Sequence, residues 1–210
     1  MPATRSKIAQ GEESRKKLLE AAAQIMGQGG YSSASVDAIA RQANVGKSAL
    51  YWHFGSKNGL LLACLADQSS RWVADFQAHV SKGASPTERL DTLINRARRL
   101  IVEHPDHRRM IFSLLLERGH EDPEIRGMVA KLFEERRDAL VDGFLASTGL
   151  PKKRLVPLCE MLIHMGDGML LRYLSDPDEA RLDSSLHEMR AYVMLRIESI
   201  MLSLHKGSTP

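Results

Sequence analysis

Ser35-Val36-Asp37-Ala38-Ile39-Ala40-Arg41-Gln42-Ala43-Asn44-Val45-Gly46-Lys47-Ser48-Ala49-Leu50-Tyr51-Trp52-His53-Phe54 is the stretch whose reading decides the fold. Ser35 is an N-cap residue, and Val36, Ile39, Ala40 and Ala43 fall on one face of a short helix. Asn44-Val45-Gly46 then interrupts it, and a second short helix follows from Lys47 to Phe54. Two helices joined by three residues cross steeply only where small side chains meet, a need that Ala40 and Ala43 satisfy. Asn44 tolerates the left-handed backbone of a tight turn. Val45, Leu50 and Phe54 can anchor the second helix on the first. The other face is then free, and it carries Lys47, Ser48, Ala49, Tyr51, Trp52 and His53: a cation, hydroxyls, a methyl and rings suited to phosphates, base edges and thymine methyls. Neighbouring residues project about 100° apart around a helix, so Tyr51, Trp52 and His53 cannot all point inward.

Outward from this segment the whole chain reads as helix, with apolar residues at three- and four-residue steps and no sustained alternation. The first 13 residues are polar and read as a disordered basic tail. Ser14 offers a cap for a first helix carrying Leu18, Ala22, Ile25 and Met26, which stops at Gly29-Gly30. Ser56 caps a fourth helix, whose apolar face runs from Leu60 through Trp72 and Phe76 to about Val80. Lys82-Gly83-Ala84-Ser85-Pro86 reads as a connector. Further helices are expected at 86–104, 106–119, 122–148, 153–175 and 183–205, with breaks at Pro105, Asp122-Pro123, Gly149-Leu150-Pro151 and Asp176-Pro177.

With 210 residues and 43% hydrophobic side chains the chain can bury a sizeable core. No apolar run reaches membrane-spanning length and no signal-peptide block opens the chain, so a cytoplasmic location without a membrane partner is expected. The charge is uneven. Residues 1–57 hold eight Lys or Arg against four Asp or Glu, whereas residues 58–210 hold 21 against 22. A basic end on a near-neutral body suits a nucleic-acid head. Gly46-Lys47-Ser48 lacks the glycine a phosphate-binding loop needs five positions earlier, where Arg41 stands. His187-Glu188 has no second histidine at the zinc-protease spacing. His104, His107 and His120 with Glu117 are separated by Pro105 and read as solvated. No catalytic machinery, metal site or cofactor is expected, and Cys64 and Cys159 read as buried thiols.

Val45-Gly46-Lys47-Ser48-Ala49-Leu50-Tyr51-Trp52-His53-Phe54 followed by Ser56-Lys57 resembles the signature of the tetracycline repressor (TetR) family, and the similarity extends over Leu18 to Leu65. The resemblance implies an all-α fold: a three-helix helix-turn-helix head, with the motif at 35–54 in a domain of residues 14–58, and a helical ligand-binding and dimerisation domain at 59–206. It implies that Ser35 touches the DNA backbone, that Lys47, Ser48 and Ala49 lie nearest the bases, that Tyr51, Trp52 and His53 reach phosphates and base edges, and that Lys57 clamps a phosphate. Gly46 replaces a frequent capping serine, and Asn58-Gly59 replaces a common acidic pair.

The helix at 153–175 is apolar nearly all round and must be covered on both sides. With the last helix it predicts a two-fold homodimer through Leu162, Gly166, Met169, Leu170, Met189, Val193, Ile197 and Ile200. Two heads about one turn of DNA apart, roughly 34 to 36 Å, would read an inverted-repeat operator. Polar residues on apolar helices nominate His164 and Asp167 for a small, partly apolar ligand, with Trp72, Phe76, Met110, Leu114 and Met165 as walls. The expected function is a ligand-released repressor, although either sign of regulation fits a population shift. The alternatives are a helix-turn-helix protein without an effector and a helical ligand-binding protein with a decayed head.

Overall fold

The computed structural model describes residues 2–79 and 85–206, with side chains described for 9–74, 85–106 and 108–204. The side chain of Phe76 and the connector residues Lys82-Gly83-Ala84 lie outside the described residues. Among the described residues every regular element is helical: α1 (Pro2–Gly29), a 3₁₀ turn (Tyr31–Ser33), α2 (Val36–Ala43), α3 (Lys47–Phe54), α4 (Lys57–His79), α5 (Pro86–Val102), α6 (Asp106–Arg118), α7 (Pro123–Thr148), α8 (Lys152–Ser175) and α9 (Glu179–Lys206). None of these helices is long and apolar enough to cross a membrane.

Three boundaries differ from the sequence reading. The expected tail is helical, because α1 begins at Pro2. Proline at a first helical position sacrifices no hydrogen bond, residues 3–13 are rich in helix formers, and a lone Gly11 weakens a helix by only about 1 kcal/mol. Ser85 is a cap, not part of a linker: its side chain accepts from the Glu88 amide while Glu88 reaches back to the Ser85 amide, with Pro86 in the first turn. Helix α9 starts four residues early because Asp178 accepts from the Arg181 amide at 3.0 Å.

The chain divides into two compact units: residues through Arg71 together with Pro105–Phe133, and Trp72–His104 together with the chain from Glu134. The expected division near residue 58 is therefore displaced. In the first unit α1 packs on α2, α3 and α6. Leu18, Ala22 and Met26 of α1, Ile39 and Ala43 of α2, Leu50 of α3 and Leu60, Leu61 and Leu65 of α4 share one buried cluster with Met110, Ile111 and Leu114 of α6. The α6 stripe fills the core of the head, and this apolar burial is why α6 belongs to that unit. In the second unit α5, α8 and α9 pack on one another. Two arginine clamps join α5 to α9: Arg98 to Glu179 (2.7 Å) and Asp183 (2.6 Å), and Arg190 to Asp91 (2.5 Å).

Leu50 is fully buried and holds α3 to the rest of the head. Leu50→Ala is expected to destabilise the first unit by about 2–5 kcal/mol, the range for truncating a core leucine. Chemical denaturation of the full chain reads this, and a loss below about 1 kcal/mol would remove Leu50 as the anchor of α3.

Candidate nucleic-acid interface

The helix-turn-helix is built by local chemistry. Ser35 caps α2 by accepting from the Ala38 amide at 3.0 Å. Asn44 ends it in the left-handed conformation, at φ 53° and ψ 46°, so the reading of the turn is met by the backbone itself. Among the described residues Asn44 alone of the non-glycines has positive φ. Gly46 precedes α3 in extended conformation without a side-chain cap. With Leu50 buried and Val45 and Phe54 packed against the same cluster, the opposite face of α3 is left to solvent. Trp52 is 77% exposed and Tyr51 53%. Lys47 and Ser48 are exposed and Ala49 is half-buried.

Lys47 and His53 on this face have definite partners. Lys47 is paired with Asp37 of α2, both well exposed. An exposed pair of this kind contributes roughly 0–1 kcal/mol, so exchanging the carboxylate for a DNA phosphate costs little. The Ser14 hydroxyl donates to the Gly11 carbonyl at 2.8 Å, so its oxygen is left to accept from His53 Nε2–H at 2.7 Å. His53 Nδ1 then faces away with an acceptor lone pair while the ring is neutral. Trp52 meets the His53 ring edge-on at 4.4 Å, and the Arg15 guanidinium lies 5.6 Å from the Phe54 ring centre. Partial burial, reinforced by Arg15 and opposed by Glu12, holds the His53 pKa below its usual value.

Lys57 is turned inward, unlike the phosphate clamp expected of it. Its Nζ lies 3.9 Å from the Tyr31 ring centre and 3.4 Å from the Tyr31 carbonyl oxygen. Burial first, then Arg118, lowers its pKa, and Glu117 opposes them. The contacts of Ser14, Asp37 and Glu117 with the head carried no sequence signal, because each joins residues that are distant in sequence or belong to different helices.

The residues nominated for a ligand are distributed between the two units. Met110 and Leu114 are fully buried in the core of the first. In the second, His164 is exposed, Met165 half-buried and Asp167 buried, with Arg136 at 3.5 Å from its carboxylate. Trp72 is half-buried, with the guanidiniums of Arg96 and Arg136 at 5.7 and 5.6 Å from its ring centre. Arg136 is the member the sequence reading missed, since 31 residues separate it from Asp167.

The expected dimer residues also require correction. Leu162, Gly166, Leu170, Met189, Val193, Ile197 and Ile200 are buried within the single chain, and Met169 is half-buried. The reason is that α8 and α9 pack on each other and turn their most apolar stripes inward. The apolar residues left outside on these helices are Met161, Leu171, Tyr192, Leu195 and Leu202. Cys64 and Cys159 are buried thiols, pushed up to about 12 by burial and therefore held protonated. Among the described residues no three His, Cys, Asp or Glu side chains are grouped to hold a metal ion.

Residues 18–64, which span this helix-turn-helix, match the family described as bacterial regulatory proteins, tetR family. That segment is a TetR-family domain. The match ends at Cys64, within α4. The TetR-family relatives include the HTH-type transcriptional repressor KstR of Mycobacterium tuberculosis, 33% identical over 44% of this chain and 42% of that protein. The HTH-type transcriptional regulator SrpR of Pseudomonas putida is 39% identical over 34% of each chain. The chain thus spans less than half the length of these relatives. A TetR transcriptional regulator from Legionella pneumophila shares the fold at a TM-score of 0.71 and 19% identity, over 84% of this chain and 95% of its own. A protein from Saccharomonospora viridis solved in complex with choline does so at 0.73 and 18%, over 87% and 96%. At these identities the likeness concerns fold alone.

The lowered pKa means that the folded head favours neutral His53. That contribution is complete above the ordinary histidine value of 6.5 and is lost as pH falls through the folded value. An NMR titration of the DNA-free protein should place the His53 midpoint below 6.5, and a midpoint above it would remove this account of the ring's surroundings.

Proposed function

We propose that this chain is a TetR-type DNA-binding transcriptional regulator that acts in the cytoplasm as a homodimer on an inverted-repeat operator and is released by a small molecule. One observation carries the reading: α3 is anchored by Leu50 and leaves Lys47, Ser48, Tyr51 and Trp52 on an open face. Two exposed rings and a cation held only by an exposed ion pair add little to the fold itself and suit a major groove. Ser35, at the N-terminus of α2, would meet the phosphate backbone, while Ala49 and His53 would border the bases. Lys57 would act through Tyr31 and not on a phosphate directly.

Dimerisation is supported by the apolar residues that α8 and α9 leave uncovered, Met161, Leu171, Tyr192, Leu195 and Leu202. A second copy would cover them in a four-helix interface. The ligand reading is supported by the half-buried Trp72 with two guanidiniums over its ring, one of them from the buried Arg136–Asp167 pair. Such a group can meet a ligand with both an apolar body and a polar tip. Ligand would favour one arrangement of the body and thereby change the separation of the two heads.

Selection of genomic fragments by the purified protein, followed by salt-dependent binding to the selected DNA, tests the reading. An inverted repeat is expected, and Lys47→Ala should reduce the salt slope by about one. Failure to bind any selected fragment above non-specific DNA would end the proposal. Light scattering after size exclusion should give a dimer, with Leu195→Glu shifting it toward monomer. A wild-type monomer at micromolar concentration would exclude the two-headed mechanism.

A further inference from the structure

The helix-turn-helix is held at both of its ends by one corner of the fold, the turn from α6 to α7. Upstream, the Glu117 carboxylate at the end of α6 accepts from the Ser32 hydroxyl at 3.0 Å and the Tyr31 amide at 3.3 Å. It also accepts from Ser113, one turn earlier on α6, whose hydroxyl oxygen itself receives the Tyr31 amide at 3.0 Å. These bonds hold its carboxyl below the usual carboxylate range, Ser113 contributing most. Tyr31 and Ser32 lead directly into Ser35, the cap of α2. Gly30 makes the approach feasible: its φ is 77°, and a Cβ there would stand 2.7 Å from the Glu117 carboxylate.

Downstream, α4 follows α3 immediately. Its first residue, Lys57, is bonded to the Tyr31 carbonyl, so the two ends of the motif meet at Tyr31. Its second residue, Asn58, donates to the Asp122 carboxylate at 3.1 Å. The other oxygen of Asp122 accepts from the Glu124 and Ile125 amides and caps α7. An acid at position 58 would face that carboxylate with like charge, whereas the asparagine amide bonds it.

We propose that Glu117 and Asn58 are positioning residues for DNA binding, fixing the two ends of residues 35–54 to the α6–α7 corner without touching DNA. This rests on the DNA-binding reading above. A helix-turn-helix held at one end only must be ordered when it docks, and that cost appears as lost affinity.

Binding of the selected operator by full-length wild type, Glu117→Ala and Asn58→Ala tests the proposal; Asp122 is left intact because it caps α7. Each variant is expected to bind about tenfold more weakly, a typical coupling between separate sites. The salt slope should match wild type, because no phosphate contact is removed. Glu117→Gln, which keeps a carbonyl acceptor, should recover part of the loss. Unchanged or tighter binding in both alanine variants overturns the proposal, as does a salt slope that falls with affinity. Hydrogen exchange without DNA separates this from a failure of the DNA reading. Faster amide exchange across 35–54 in both variants supports the clamp even if wild type binds no DNA, and unchanged exchange overturns it.

Discussion

Everything on the outer face of the head follows from the burial of Leu50. Its side chain has no exposure and sits among α1, α2 and α4 residues in one cluster. Burying a leucine contributes roughly 1.5–3 kcal/mol, far more than any of the exposed ion pairs around it, so it sets the rotation of α3. With about 100° between successive residues, that rotation sends Tyr51 and Trp52 outward. The indole, 77% exposed, keeps an edge-on contact with His53 and adds little to the core.

The same cluster explains why α6, far along the chain, is part of the head. Met110, Ile111 and Leu114 form one face of α6 and enter the core beside Leu18 and Leu61. The next turn of α6 then brings Glu117 against Tyr31 and Ser32. Apolar packing places the helix, and polar bonds at its end fix the register of the segment that follows α1. The polar bonds alone could not do this, since Glu117 and Ser32 are both exposed and compete with water.

What was legible in the sequence was what local rules encode. Ser35, Asn44 and Gly30 announce a cap, a left-handed turn and a stop within a few residues, and the proline breaks locate the later helices closely. The face of α3 was legible too, since helical geometry forces at least one of three adjacent rings outward. What was not legible depends on partners distant in sequence. Helix α8 is apolar nearly all round, so periodicity could not say which side α9 covers, and the residues assigned to a second subunit are the inner ones. Lys57 looked like a free cation because nothing near it in sequence reveals Tyr31 beneath its ammonium. Met110 and Leu114 looked like pocket walls because an apolar stripe reads the same whether it lines a cavity or fills a core.

The chain has only two tryptophans, Trp52 in the first unit and Trp72 in the second. One indole stands in water beside an imidazole; the other is half-buried under two guanidiniums. Because those surroundings differ in polarity and in nearby charge, the two rings emit from distinct environments. Replacing either by phenylalanine leaves a chain with one tryptophan, which can be excited selectively over the four tyrosines, and each half of the molecule then carries its own optical probe without a label.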